Sequence, residues 1–388
     1  MELNIDRSLW KKVKLGDVAY EYSERINDPS TSIHDKFVGS SNIGRWDFRI
    51  TSFESTDSVT SAMKLFREND YLLVRRSLYA SDFRERAPRA QFSGVCSGDI
   101  LTIRENPECI ADGFLVGILN SPRLWKYVVA NASGSITRRI KWRDLANYEF
   151  LLPPKDQQAE LAELLWAMDE VIERERLVES RTQILLEANR RNLNRGELTE
   201  YTGGQLTSLI TKGASPKWQG FDYCDEGTLF VTSENIREDS IDISNKKYLP
   251  LSFNQKQKRS QLEKGDILIN IVGASIGRLA IFNEEIEHAN INQAVCLFRV
   301  NSKALAEYLV QYILEESNKN RLLNNQSATA RPNLSLKNLK DYKFYLPTIQ
   351  IQKQRIVEIT KVKTALKGIQ NNISHATSLQ KAIINQIF

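Results

Sequence analysis

Four cysteines, three histidines and three methionines among 388 residues leave little material for metal or redox chemistry. Cys96, Cys109, Cys224 and Cys296 have no CxxC spacing, and His34, His288 and His375 lie far apart, so no zinc or disulfide framework can be drawn. Reduced, mostly buried thiols are expected instead. No apolar run approaches the roughly 18–20 residues that span a bilayer, and the opening MELNIDRSLWKK lacks the apolar core of a signal peptide. The chain therefore reads as cytoplasmic, with no membrane partner. Catalytic signatures are missing too. There is no GxxxxGK[ST] phosphate loop, no GxGxxG after a strand, no HExxH and no GxSxG. The [ND]PP-aromatic motif of amino-methyltransferases is also missing, the only Pro-Pro being that of LPPK. These absences argue for binding rather than chemistry.

What is present is the composition of a folded protein, 41% hydrophobic and 26% charged. The length exceeds what a single core usually serves, so at least two domains are expected. A net charge of 53 − 48 = +5 says little about partners, but its distribution says more. Residues 151–198 carry 7 basic and 10 acidic groups, whereas 346–388 carry 6 and 1.

The chain repeats itself. YEFLLPPKDQQ (148–158) returns as YKFYLPTIQIQ (342–352), 194 positions later. At the same offset GSITRRIKWRDLANYEFLLP lies over ATARPNLSLKNLKDYKFYLP, pairing Ile140 with Leu334, Leu145 with Leu339 and Tyr148 with Tyr342. With small shifts FRENDYLLV (66–74) resembles LEKGDILIN (262–270), and SSNI (40–43) resembles TSENI (232–236). A period near 190 residues is too long for a solenoid and implies two similar domains. Their short β-rich runs, such as YLLVRRSL and GDILINIVG, are followed by helical patterns.

After each domain comes a long helical pattern. In the first, Leu161, Leu164, Met168, Val171, Val178 and Leu185 form a 3-4 stripe interrupted by Glu175 and Thr182. In the second the stripe is Ile359, Val362, Leu366, Ile369, Ile373, Ala376, Ile383 and Ile387, interrupted by Gln380. Proline and glycine are missing from 156–194, and only Gly368 occurs in 348–388. Each reads as one helix of about 40 residues, or roughly 60 Å. A narrow stripe over five heptads is a coiled-coil seam, and the opposite net charges, −3 and +5, favour pairing of the two helices with each other. Because the first helix leaves domain one for domain two, such pairing must be antiparallel, about a pseudo-twofold axis. The expected fold is α+β: one globular domain over 1–150, a long helix over 151–198, a second, similar domain over 199–345 and a second long helix over 346–388. The Leu-Pro motifs mark each handover from domain to helix.

Cations, amides and small polar residues cluster on expected loops. RRSLYASDFRERAPRAQ (75–91) interleaves arginines with Tyr79 and a phenylalanine, and SGSITRRIKW (133–142) adds Arg138, Arg139 and Lys141. In the second half NIVGASIGR (270–278) and QSATARPN (326–333) hold the corresponding places. Arginine pairs bidentately with phosphates and guanine edges, Asn and Gln pair with adenine, and small residues let backbone amides approach phosphate. The candidate DNA-binding residues are Arg75, Arg76, Tyr79, Arg84, Arg138, Arg139 and Lys141, then Ser233, Asn235, Asn270, Ser275, Arg278, Arg331 and Asn333. A common frame with different side chains suits two readers of two different sequences. Asp70 and Asp266 recur in both halves as (N/G)D before a strand; they read as turn residues rather than metal ligands.

Together the two divergent domains, the LPP and LPxxxxQ handovers, the long helices and the RRNLNRGELT exit (190–199) resemble the specificity subunit of a type I restriction-modification enzyme. The likeness covers essentially the whole chain, although INQIF stops before a second GEL-like exit would come. It implies that each domain reads one half of a bipartite site in double-stranded DNA, while the helices act as spacer and dock two methylation subunits. Those subunits would bring S-adenosylmethionine and methylate adenine, and separate motor/endonuclease subunits would hydrolyse ATP and cut. This chain would hold no cofactor and no catalytic residue. The rival readings are a coiled-coil interaction scaffold, a specificity subunit of another restriction class, and a nuclease with an unusual active site.

Overall fold

The computed structural model describes residues 5–29, 32–77, 85–324 and 333–388. The chain divides into two compact units, Met1–Leu177 with Ile369–Phe388, and Val178–Gly368. Both are α+β, and each boundary falls inside one of two long helices, Lys155–Asn192 and Ile349–Ile387.

In the first unit the buried strand Tyr71–Val74 and the strand Ala19–Glu21 flank Ile100–Glu105, antiparallel on both sides. A five-stranded sheet beside them is built from Arg25–Ile26, Met63–Phe66, Gly94–Cys96, Lys36–Val38 and Glu54–Ser55. Lys11–Lys14 pairs with Glu149–Leu152, the strand that leads into the first handover. In the second unit Thr207–Lys212 and the buried Asp266–Asn270 flank Val295–Val300, and Leu279–Phe282 adds a fourth strand. Thr199–Thr202 pairs with Lys343–Leu346, the strand of the second handover. The central strands ILTIRE and VCLFRV share one burial pattern, four buried residues followed by two half-buried ones. Continuous burial on both faces explains why these runs are apolar rather than alternating.

The internal duplication extends to individual hydrogen bonds. Gln158 Nε2 donates to the Pro153 carbonyl at 2.8 Å and its Oε1 accepts from Ala111 N–H at 2.8 Å. Gln352 Nε2 donates to Pro347 at 2.9 Å and its Oε1 accepts from Leu305 N–H at 3.0 Å. The glutamine of each handover thus ties a helix start to its domain and satisfies buried backbone groups that otherwise lack partners. Asp70 and Asp266 do sit at turns, accepting from Arg67 N–H and Glu263 N–H. Each is also gripped through two nitrogens by an arginine of the adjacent strand, Arg104 and Arg299 respectively.

The long helices contribute to both cores. In the first unit Leu161, Ala162 and Leu165 share a core with Ile383, Ile384, Ile387 and Phe388. In the second, Leu186 and Leu193 share one with Ile359. The start of one helix therefore meets the end of the other in each unit, the sense required of antiparallel pairing. The stripe expected on the second helix holds, with Ile359, Ile383 and Ile387 buried. The stripe expected on the first holds only at its start, where Leu161 is buried and Leu164 and Met168 are half-buried; Val171, Val178 and Leu185 are 53%, 47% and 51% exposed. The buried line there is Leu165, Asp169, Ile172, Leu186, Arg190 and Leu193, which keeps the heptad spacing but places charged residues in it. Asp169 is buried because Arg49 Nε meets it at 2.6 Å, and Arg190 because Gln311 Oε1 and Glu187 accept from it at 3.0 and 2.6 Å. Partnered charges can occupy a seam where a reading by hydrophobicity places only apolar residues.

Candidate nucleic-acid interface

In the first unit the strand Tyr71–Val74 runs on through Arg75 into Arg76–Ser77, which pairs with Arg138–Arg139 so that Arg139 faces Arg76. Two backbone bonds frame this ladder, Arg75 N–H to the Asp99 carbonyl and Ile140 N–H to the Arg75 carbonyl, both 3.0 Å. Four candidate arginines and Lys141 are thereby brought to one place. They do not all face the same way. Arg76 Nη1 and Arg139 Nη2 both donate to the Asp99 carboxylate, at 2.7 and 2.8 Å, and remain partly exposed. Arg138 turns inward, its Nη2 donating to the carbonyls of Val129 and Ala132 at 3.0 and 2.9 Å. It thus covers the exit of the helix Pro122–Asn131, where carbonyls lack intrahelical partners. Arg75 lines a separate recess of about 350 Å³ with Glu21, Arg25 and Lys64, and its Nε is buried without a partner. Lys141 is exposed at the start of the short helix Trp142–Leu145. Tyr79 and Arg84 lie outside the described residues.

The second unit repeats the frame with other side chains. Ile271 N–H donates to the Ala294 carbonyl at 2.9 Å, Leu334 N–H donates to the Ile271 carbonyl at 3.0 Å, and Val272 bridges to Asn333. Asn270 is fully buried, and its Nδ2 donates to the Ser233 carbonyl at 2.9 Å and to Ser275 Oγ at 3.0 Å. Gly277 N–H to the Asn270 carbonyl and Asn270 N–H to the Arg278 carbonyl, both 2.8 Å, close the loop between Asp266–Asn270 and Leu279–Phe282. That loop needs left-handed backbone at Gly273 (φ 87°) and Gly277 (φ 80°), and a Cβ at Gly277 would lie 2.8 Å from Leu323 Cδ2. Asn235 acts locally: its Oδ1 accepts from Thr232 N–H at 2.8 Å and its Nδ2 donates to the Asp242 carbonyl at 2.9 Å. The hydroxyl and N–H of Ser244, with Arg237 beside them, hold Asp242 down at about 2. Ser233 and Ser275 are half-buried, while Arg278 and Asn333 are exposed. Arg331 lies outside the described residues.

The two clusters therefore occupy one topological point, where a buried strand of each unit, Tyr71–Val74 or Asp266–Asn270, continues past the sheet and meets the segment before a short helix. The inward Arg138 guanidinium, the buried Asn270 amide and the half-buried Asn235 amide build the platform. Arg76, Arg139 and Lys141 in one unit, and Ser275, Arg278 and Asn333 in the other, are left accessible upon it. Reading by residue type missed Asp99, because a single aspartate in CSGDI carries no signal until two strands bring arginines to it.

Residues 205–375 match the family model of the type I restriction modification DNA specificity domain. Over this segment the chain is similar to that family. The type I restriction enzyme EcoBI specificity subunit of Escherichia coli is 26% identical over 168 residues, 42% of this chain and 35% of that relative. The match thus spans about a third of the relative's length. The S subunit of the type I restriction-modification system of M. genitalium shares the fold with a TM-score of 0.58 and 17% identity, covering 100% of this chain and 99% of that one. A chain from a structural study of complex assembly and conformational transition in the type I R-M system gives 0.59 and 17%, covering 98% and 97%. The matched segment contains the whole second cluster, from Ser233 to Asn333.

Proposed function

We propose that the chain is the non-catalytic DNA-recognition subunit of a cytoplasmic type I restriction-modification complex, each unit reading one half of a bipartite double-stranded site. The observation that carries this reading is the doubled frame just described: the same backbone hydrogen bonds present Arg76 and Arg139 in one unit and, among the described residues, Ser275, Arg278 and Asn333 in the other. A frame that keeps its backbone while changing its side chains is what two readers of unlike sequences require. The contacts fall to Arg76, Arg139 and Lys141 in the first unit and to Ser275, Arg278 and Asn333 in the second.

The long helices set the gap between the half-sites and dock two methylation subunits, which supply S-adenosylmethionine and methylate adenine. Motor/endonuclease subunits complete the complex. Apolar residues left uncovered on the first helix support docking, Val178, Ile184 and Leu185 being 47%, 63% and 51% exposed. Beside them lies a recess of about 650 Å³ lined by Gln183, Ile184, Arg190, Leu314 and Lys319.

Co-expression with the neighbouring genes of its genome, followed by mapping of methylated adenine, tests the reading. A two-part motif with a fixed gap is expected. Methylation at a single continuous motif, or none while the partners assemble, would refute it in favour of a scaffold without sequence preference.

A further inference from the structure

The carboxylate of Asp99 lies between two arginines contributed by different strands, Arg76 at 2.7 Å and Arg139 at 2.8 Å. All three side chains reach solvent, with exposures of 22% for Asp99, 40% for Arg76 and 47% for Arg139. The shared backbone bonds identify their counterparts in the second unit. Arg75 corresponds to Ile271, since the N–H of each donates to the residue at Asp99 or Ala294 and the carbonyl of each accepts from Ile140 or Leu334. Arg76 therefore corresponds to Val272, Arg139 to Asn333 and Asp99 to Ala294. Where the arginine pair is missing, the carboxylate is missing as well.

Stability is a weak reason for such an arrangement, because ion pairs this exposed add little to folding. Its electrostatic effect is direct. Two adjacent guanidiniums without a counter-charge would bind any phosphate, and an indiscriminate reader spends its time on the wrong sites. A carboxylate that satisfies both cancels one of the two charges. Its two oxygens accept one bond from each arginine, as two oxygens of a phosphate would.

We infer that Asp99 is a specificity-determining residue. It acts as an internal competitor that holds Arg76 and Arg139 against non-specific backbone contact, so that a duplex must offer acceptors good enough to displace it. The inference rests on the DNA-recognition reading above and adds to it a residue that need not touch DNA.

The test uses the full chain, a duplex carrying the methylation motif and a scrambled duplex of equal length, titrated at several salt concentrations. Asp99→Asn should bind the scrambled duplex about 3- to 10-fold more tightly, steepen the dependence of log K on log salt by about one, and lower the ratio of specific to non-specific affinity. The same substitution combined with Arg76→Gln and Arg139→Gln should cancel the gain. Unchanged or weaker scrambled-duplex binding by Asp99→Asn, or a preserved ratio, overturns the inference while leaving DNA recognition standing. Loss of thermal stability together with loss of affinity for both duplexes would make Asp99 a structural clamp and overturns it too. If the unsubstituted chain binds neither duplex, the recognition reading itself falls and takes this inference with it.

Discussion

Gln158 and Gln352 make the same pair of hydrogen bonds 194 residues apart, each donating to the carbonyl of the handover proline and accepting from a backbone N–H of its own unit. Both side chains are almost fully buried, at 2% and 1% exposure. Removing either leaves a donor and an acceptor without partners and without water. Gln158→Ala and Gln352→Ala are each expected to destabilise their own unit by about 2 kcal/mol. Hydrogen exchange resolved along the chain should show the loss in that unit first; equal loss in both would refute the local assignment.

The arginine–aspartate pairs predict a coupling. Arg104 reaches Asp70 at 2.7 and 2.9 Å, Arg299 reaches Asp266 at 2.7 and 2.8 Å, and both carboxylates are buried. Arg104 also stacks on Tyr22 at 4.2 Å, so it keeps one partner when Asp70 is lost. A double-mutant cycle of Asp70→Ala and Arg104→Ala should give an interaction energy of about 1–3 kcal/mol in urea unfolding, and the second-unit cycle a similar value. Additive single effects would show that the pairs are ornamental.

Glu105 makes stability depend on pH in a predictable direction. Burial raises its pKa above the ordinary carboxylate value, against the opposing effects of Gly113 N–H, Leu115 N–H, Arg89 and Tyr71. The folded state therefore holds this proton more tightly than the unfolded chain, and stability attributable to the group falls as pH rises through its folded pKa. Glu105→Gln should remove that contribution. The variant should therefore gain on the parent protein as pH is raised from the ordinary carboxylate range toward neutrality, read as the difference between their urea midpoints at fixed salt. Parallel curves would contradict the assignment.

Recognition should divide between the units. Arg139→Ala is expected to weaken duplex binding with a salt slope shallower by about one, while Arg278→Ala or Asn333→Ala relaxes positions in the other half of the methylated motif only. Mapping the motif for each variant checks this. A substitution that alters both halves would show that the clusters do not read independently.

Much of the architecture was legible because it is local or periodic. The 194-residue echo, the proline handovers and the apolar line of the second long helix are patterns along one dimension, and each corresponds to an observed element. The first long helix was misread at Val171, Val178 and Leu185 because its seam holds Asp169 and Arg190. Those charges are tolerated there by Arg49 and Gln311, residues more than 100 positions away. The candidate site shows the same division. Clusters of arginine and amide were visible, but not that Arg138 would serve a helix end or Asn270 a loop interior.

The sequence by itself determined that the chain is built twice on one plan, with a long helix after each copy, because composition, period and breaker residues act on neighbours. Only the tertiary structure decided which side chains of each cluster remain accessible, and that Asp99 stands between Arg76 and Arg139. Such choices depend on strands meeting across tens of residues, where burial and hydrogen-bond geometry, rather than residue type, select the partner.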